Sequence, residues 1–197
     1  MSGGYSYNRC LHVRCIVKAL MFYAVVAYLK GELAEWVENL RGELHPEHAH
    51  LPAHITILPP RPLHGSEGDA LEWLVESCAA VEPFDVVMGD VASFIPTTPT
   101  VFIRVAHAAY KIRELHDQMN GGPLTCAEEL PFMPHLTIAK LETNEKARQL
   151  YEVARDRWDH YEGLHRARVG NLSFVRGHDA SWTDLAPVCL RPKAVRK

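Results

Sequence analysis

Apolar positions along the chain follow two periods, and the switches between them outline its elements. Phe22-Tyr23-Ala24-Val25-Val26-Ala27-Tyr28-Leu29 is an unbroken aromatic and β-branched run, which predicts a buried strand. Gly31 to Gly42 then spaces Leu33, Trp36, Val37 and Leu40 along one helical face. A polar loop from Leu44 to Leu51 leads into a strand at Pro52-Ala53-His54-Ile55-Thr56-Ile57. Pro59-Pro60, which lacks two N–H donors, is expected to stop it. Ser66 is suited to cap a helix over Glu67 to Val81, with Leu71, Leu74, Val75 and Cys78 on its apolar face. Strands are predicted at about 84–92 and 100–106, joined by the turn Pro96-Thr97-Thr98-Pro99.

The second half replays this order. A helix over 109–119 leads through Gly121-Gly122-Pro123 and an acidic loop to a strand at 134–140. Thr143 caps a helix running to about Trp158, and strands at 168–176 and 183–190 close the chain around the polar turn Arg176 to Ser181. Several connections are too short for parallel crossovers. The fold class expected is therefore α+β and bilobal: two similar lobes of antiparallel sheet, helices on the outer faces, a pseudo-twofold relation and a central cleft. Residues 21–190 form one domain on this reading. Residues 1–20 show no clean period and are expected to be a dispensable extension, and 191–197 a frayed basic tail.

Composition narrows the function classes. With 47% hydrophobic and 23% charged residues the 197-residue chain is that of an ordinary globular protein. A net charge of −3 argues against a broad polyphosphate-binding surface, so DNA is not an expected partner. A nucleotide or an RNA end is compatible with it. Five cysteines with no CxxC pair suggest a reduced, cytoplasmic chain, and a monomer is expected. No apolar stretch is long enough to span a bilayer, and the run after Lys18 has no small-residue cleavage site behind it.

The candidate chemistry lies in an internal echo, His54-Ile55-Thr56-Ile57 and His135-Leu136-Thr137-Ile138. Strand alternation puts His54 with Thr56, and His135 with Thr137, on one face, and the intervening aliphatics on the other. Two such strands set face to face would surround a small anion with two imidazoles and two hydroxyls. Histidine is suited to give and take protons near neutrality, and the hydroxyls to stabilise charge growing on phosphate oxygens. One His-x-Thr alone is an unremarkable strand. Two copies, each closely preceded by proline and followed by isoleucine, point to a shared site.

These motifs resemble the two signatures of the two-histidine phosphoesterase superfamily, which includes bacterial 2′-5′ RNA ligases and cyclic phosphodiesterases. The resemblance covers about residues 21–190. It implies a bilobal α+β fold, His54 and His135 as the catalytic pair, and Thr56 and Thr137 as phosphate binders. It implies action on 2′,3′-cyclic phosphates, 2′-5′ linkages or RNA ends without metal or other cofactor. Arg61, just past the first motif, is placed either to reach phosphate from the cleft rim or to sit in a solvated loop. Phe132 and Phe94 are candidates for stacking on a base, with core packing as the alternative. Tyr23 and Tyr28 lie on opposite faces, so at most one meets the cleft, and Arg176 and His178 are further candidates to line it. His45-x-x-His48-x-His50 has metal-ligand residues, but Pro46 and the loop context disfavour a metal site. A protein that binds nucleotide in the same cleft without turnover is the rival reading; two intact histidines favour an enzyme.

Overall fold

A computed structural model of the chain describes residues 21–178 and 181–191. The readings made for residues 1–20, for most of the basic tail and for the tip of the final turn fall outside them. Among the described residues eight strands form one antiparallel sheet, with four α-helices. In chain order they are β1 (Phe22–Tyr28), α1 (Glu32–Leu44), β2 (His54–Arg61), α2 (Glu67–Cys78), β3 (Phe84–Ser93) and β4 (Thr100–His107). Then follow α3 (Ala109–Met119), β5 (His135–Lys140), α4 (Asn144–Asp159), β6 (Arg166–Val169), β7 (Asn171–His178) and β8 (Ser181–Cys189). The strand order is β6-β3-β4-β5-β2-β1-β7-β8.

The order reads the same outward from its centre. β2 and β5 are adjacent; β1 flanks one and β4 the other, and β1-α1-β2-α2 repeats as β4-α3-β5-α4. The two lobes expected from the sequence are thus halves of a continuous sheet. The strands of one half, β3 to β6, form a continuous stretch of chain; those of the other do not, because β7 and β8 return to β1 from the far end of the sequence.

The helices cover one face of the sheet. Ile55 and Ile57 of β2, Ile103 of β4 and Leu136 and Ile138 of β5 are 0–1% exposed on that side, among Leu33, Val37, Leu74, Ile112 and Leu115 from the helices. Burying side chains of this size contributes roughly 1.5–3 kcal/mol each. β1 is apolar on both faces because both are covered. Val25 and Ala27 join the main core, while Ala24 and Val26 form a small cluster on the other face with Val175, backed by Tyr28 and Trp182. The capping signals act as read: Ser66 and Asp69 form a capping box, and Thr143 accepts from the Lys146 N–H.

Two features differ from the sequence reading. β2 runs through Pro59-Pro60 to Arg61. Its ladder with β1 shifts register there and resumes at the pair Tyr23 and Arg61, so the prolines sit where no ladder N–H is called for. β6, four residues pairing with Phe84–Val87 of β3, was not separated from the strand that follows it.

Candidate active site

β2 and β5 run antiparallel at the centre of the sheet, with Ile55 opposite Leu136. Carried one residue either way, this register sets His54 opposite Thr137 and Thr56 opposite His135. Ile55 and Leu136 are wholly buried on the helix side, so the four polar residues share the opposite face. They form the corners of a rectangle, with each histidine beside the other strand's threonine. Diagonal neighbours in such a ladder lie about 7–8 Å apart, room for a phosphate between two imidazoles.

Both rings are oriented by the same local bond. His54 Nδ1 lies 2.7 Å from the Pro52 carbonyl oxygen, and His135 Nδ1 lies 2.6 Å from that of Met133. A carbonyl only accepts, so each Nδ1 carries the hydrogen and donates it. In the neutral ring Nε2 is then left with its lone pair, able to accept a proton. Burial pushes the His54 imidazole down to about 4; the hydrogen bond to Pro52 opposes this, and the charges of Arg41, Lys140 and His135 reinforce it. Burial also holds His135 below its ordinary value, against its bond to Met133 and with the help of Lys140. Both rings are therefore neutral at neutral pH.

Aromatic rings flank the pair. Tyr28 is the ladder partner of His54 and meets it edge-on at 6.2 Å, its hydroxyl donating to Asp184 at 2.7 Å. Phe94 and Phe102 each lie 5.0 Å from the His135 ring. Of the two tyrosines on β1, Tyr28 is thus the one on the histidine face. Tyr23 sits in the core, stacks on Phe174 and donates to Glu67.

Behind the histidines lies a residue whose role the sequence did not disclose. Arg41, on α1, is 3% exposed. Its Nε donates to the Thr137 carbonyl at 3.0 Å, and Nη1 to the carbonyls of Leu51 and Pro52 at 2.9 and 3.3 Å. Glu38, one turn earlier, accepts from the Ala53 N–H at 2.8 Å. One helix thereby fixes the backbone of the second motif and the lead-in to the first. Burial lowers the Arg41 guanidinium to about 10, with Glu38 opposing. The signal available in the sequence was a cation on the apolar side of α1, one position beyond Leu40.

Three expected site residues lie elsewhere. Arg61 is 1% exposed, and its guanidinium is engaged by Glu128, Asn120 and the carbonyls of Pro59 and Leu124, so it does not reach phosphate at the rim. Phe132 stacks flat on the buried His116 at 3.9 Å, and His116 in turn donates Nδ1–H to the Ile57 carbonyl on the helix side; core packing takes Phe132 away from any base. Arg176 pairs with Glu67 on that side as well. Phe94, the alternative stacking candidate, does lie beside His135. His45 donates to the Lys140 carbonyl, and among the described residues no three His, Cys, Asp or Glu side chains are grouped to hold a metal ion. No helix among them is long and apolar enough to cross a membrane.

Known proteins resemble this chain in sequence or in fold. A candidate phosphoesterase of Halalkalibacterium halodurans is 26% identical over 166 residues, covering 83% of this chain and 94% of its own. One from Bacillus pumilus is 26% identical over 165 residues with the same two coverages. Among solved structures, Escherichia coli LigT complexed with 3′-AMP superposes with a TM-score of 0.59 at 15% identity, over 87% of this chain and 98% of that one. A Thermus thermophilus protein does so at 0.58 and 14%, over 88% and 100%. The family model of the 2′-5′ RNA ligase superfamily matches residues 29–180, a span holding both His-x-Thr strands, and the chain belongs to that superfamily.

Proposed function

We propose that the protein is a metal-independent phosphodiesterase or ligase, acting on 2′,3′-cyclic phosphates or 2′-5′ linkages of nucleotides or RNA ends. The observation that carries this reading is the rectangle of His54, Thr137, Thr56 and His135, with both histidines donating through Nδ1 to a carbonyl two residues back. A phosphate between the imidazoles has an Nε2 on either side, the disposition an in-line displacement needs. One ring takes the proton of the attacking hydroxyl or water while the other, protonated, gives its proton to the departing oxygen. Thr56 and Thr137, on the other diagonal, donate to the non-bridging oxygens as their charge grows. Both proton transfers are met by imidazole, so the mechanism calls for no metal. The family match and the LigT structures with 3′-AMP and ATP support a nucleotide or an RNA end as substrate.

The resting neutrality of the pair sets the pH behaviour. An anion between two depressed histidines raises the affinity of the pair for a proton, so the substrate helps to load the general acid. In the free protein one ring must be protonated and the other not, and both titrate below the ordinary histidine value. The bell for kcat/KM should therefore peak on the acid side of about 6.5, and the bell for kcat at higher pH, with apparent values belonging to the pair. The experiment is hydrolysis of 2′,3′-cyclic nucleotides and 2′-5′ dinucleotides in EDTA across pH 4–9. Binding of both without turnover overturns the catalytic reading, and loss of activity in EDTA with recovery on added metal overturns the metal-free mechanism.

A further inference from the structure

The two halves of the cleft can be aligned residue by residue, and the alignment exposes a difference. Along β1 and β2, Tyr28 is opposite His54 and Val26 opposite Thr56, after which the ladder skips Ile57 and pairs Val25 with Leu58. Along β4 and β5, Arg104 is opposite His135 and Phe102 opposite Thr137, after which it skips Ile138 and pairs Val101 with Ala139. The same irregularity falls at the same step, so Tyr28 corresponds to Arg104, Val26 to Phe102, and Pro59 to Lys140. At two of these positions the first half has a neutral residue and the second a cation.

Arg104 is exposed, while its neighbours Ile103 and Val105 are buried in the core, so its side chain leaves β4 on the face that carries His135. Arg41 and Arg61 are saturated by hydrogen bonds, whereas the Arg104 guanidinium meets no carboxylate among the described residues. Lys140 is likewise exposed and without an ion pair among them. In the first half the corresponding Tyr28 spends its hydroxyl on Asp184, whose carboxylate makes that side unfavourable to an anion. The reacting phosphate already has the two threonines and two imidazoles. An additional phosphate on the substrate would be repelled on one side of the sheet centre and attracted on the other.

Resting on the functional reading above, we infer that Arg104 holds a second phosphate of the substrate, separate from the one that reacts, over β4 on the His135 side of the cleft. The guanidinium presents a planar fork of donors suited to two phosphate oxygens at once. The favoured substrates are nucleotides or RNA ends that carry a phosphate beyond the cyclic one. That phosphate is either a terminal monoester or the next diester of a strand.

The test compares ligands that differ by that group alone. Binding of adenosine 3′-monophosphate and adenosine 3′,5′-bisphosphate is measured by calorimetry at low salt on the wild type, Arg104→Gln, Arg104→Lys and the exposed helix control Arg113→Gln. The wild type and Arg113→Gln should bind the bisphosphate about tenfold or more tightly than the monophosphate. Arg104→Gln should bring the ratio close to one, and Arg104→Lys should keep most of it at lower salt only. A wild-type ratio of one, or an undiminished ratio in folded Arg104→Gln, overturns the assignment. Turnover of adenosine 2′,3′-cyclic phosphate, its 5′-phosphorylated form and a dinucleotide ending in the cyclic phosphate then distinguishes the sources. A gain in kcat/KM confined to the 5′-phosphorylated mononucleotide identifies a monoester, and one confined to the dinucleotide a strand. A wild type inactive on all three defeats the catalytic reading, while the binding ratio still decides the case for Arg104.

Discussion

Behind β5 two separate side chains each hold one carbonyl, Arg41 that of Thr137 and His45 that of Lys140; behind β2 the task falls to a linked network. Arg41 crosses from α1 to the Thr137 carbonyl. On the other side His116 crosses from α3 to the Ile57 carbonyl, and Glu128 ties His116 to Arg61 beneath the stacked Phe132. On the open face the two halves agree in histidine, threonine, ring-orienting carbonyl and bulge. The pseudo-twofold is thus kept where a phosphate would sit and relaxed where the requirement is only that a backbone carbonyl be fixed. A carbonyl can be fixed by any well-placed donor, whereas an acid and a base on either side of phosphorus are both served by imidazole, which titrates near neutrality.

The comparison can be broken first at the histidines. If both halves serve one displacement, His54→Ala and His135→Ala should each lower kcat/KM on a cyclic nucleotide by about 10²–10⁴-fold, and the double variant should lose little more. A full rate in either single variant would show that the halves are not equivalent and the site is misassigned. The supports come next. Arg41→Met removes a buried cation from carbonyls that have few alternatives and should cost about 3 kcal/mol in urea unfolding. Glu128→Gln acts on a carboxylate whose side chain is 21% exposed, so water replaces part of what is lost, and about 2 kcal/mol is expected. The reverse order would mean that the linked network, not Arg41, bears the greater load. The smallest effect concerns the turns that start α1 and α3. Both lead-in residues have positive φ but in different regions: Gly31, at φ +81° and ψ −165°, is where essentially only glycine goes, whereas Ala108, at φ +60° and ψ +17°, is in the left-handed helical region. Gly31→Ala should cost about 1 kcal/mol, and Ala108→Gly should change stability by no more than about 0.5 kcal/mol, because relief of strain is offset by chain entropy. Thermal unfolding separates the two.

Most of the open face was legible in the sequence because it depends on alternation, which is local. His54 and Thr56 are two apart, as are His135 and Thr137, and no long-range information is needed to put each pair on one side of a strand. The supports were hidden because each depends on a distant partner. Arg61 reads as a rim cation until Glu128, 67 positions on, folds against it. Phe132 reads as a base-stacking ring until His116 lies flat beneath it. Arg41 resembles any solvated helical cation until the Thr137 carbonyl, 96 positions away, takes its N–H groups. The strand at Pro59-Pro60 was ended early for a related reason: whether a missing N–H matters depends on the partner's register, which the strand itself does not carry.

The position of β1 has a consequence for how the chain comes to be made. It lies between β2 and β7. Its first neighbour follows within one helix, whereas the second begins at Asn171. At ordinary rates of synthesis the ribosome needs roughly 7–30 s to cover that interval. For that time one edge of an apolar strand bearing Val25 and Val26 is without its final neighbour, a template for pairing with other chains. The segment that closes this edge emerges after every other strand of the sheet but β8, so a nascent chain stalled in α4 would display the open edge of β1 with both His-x-Thr strands already made.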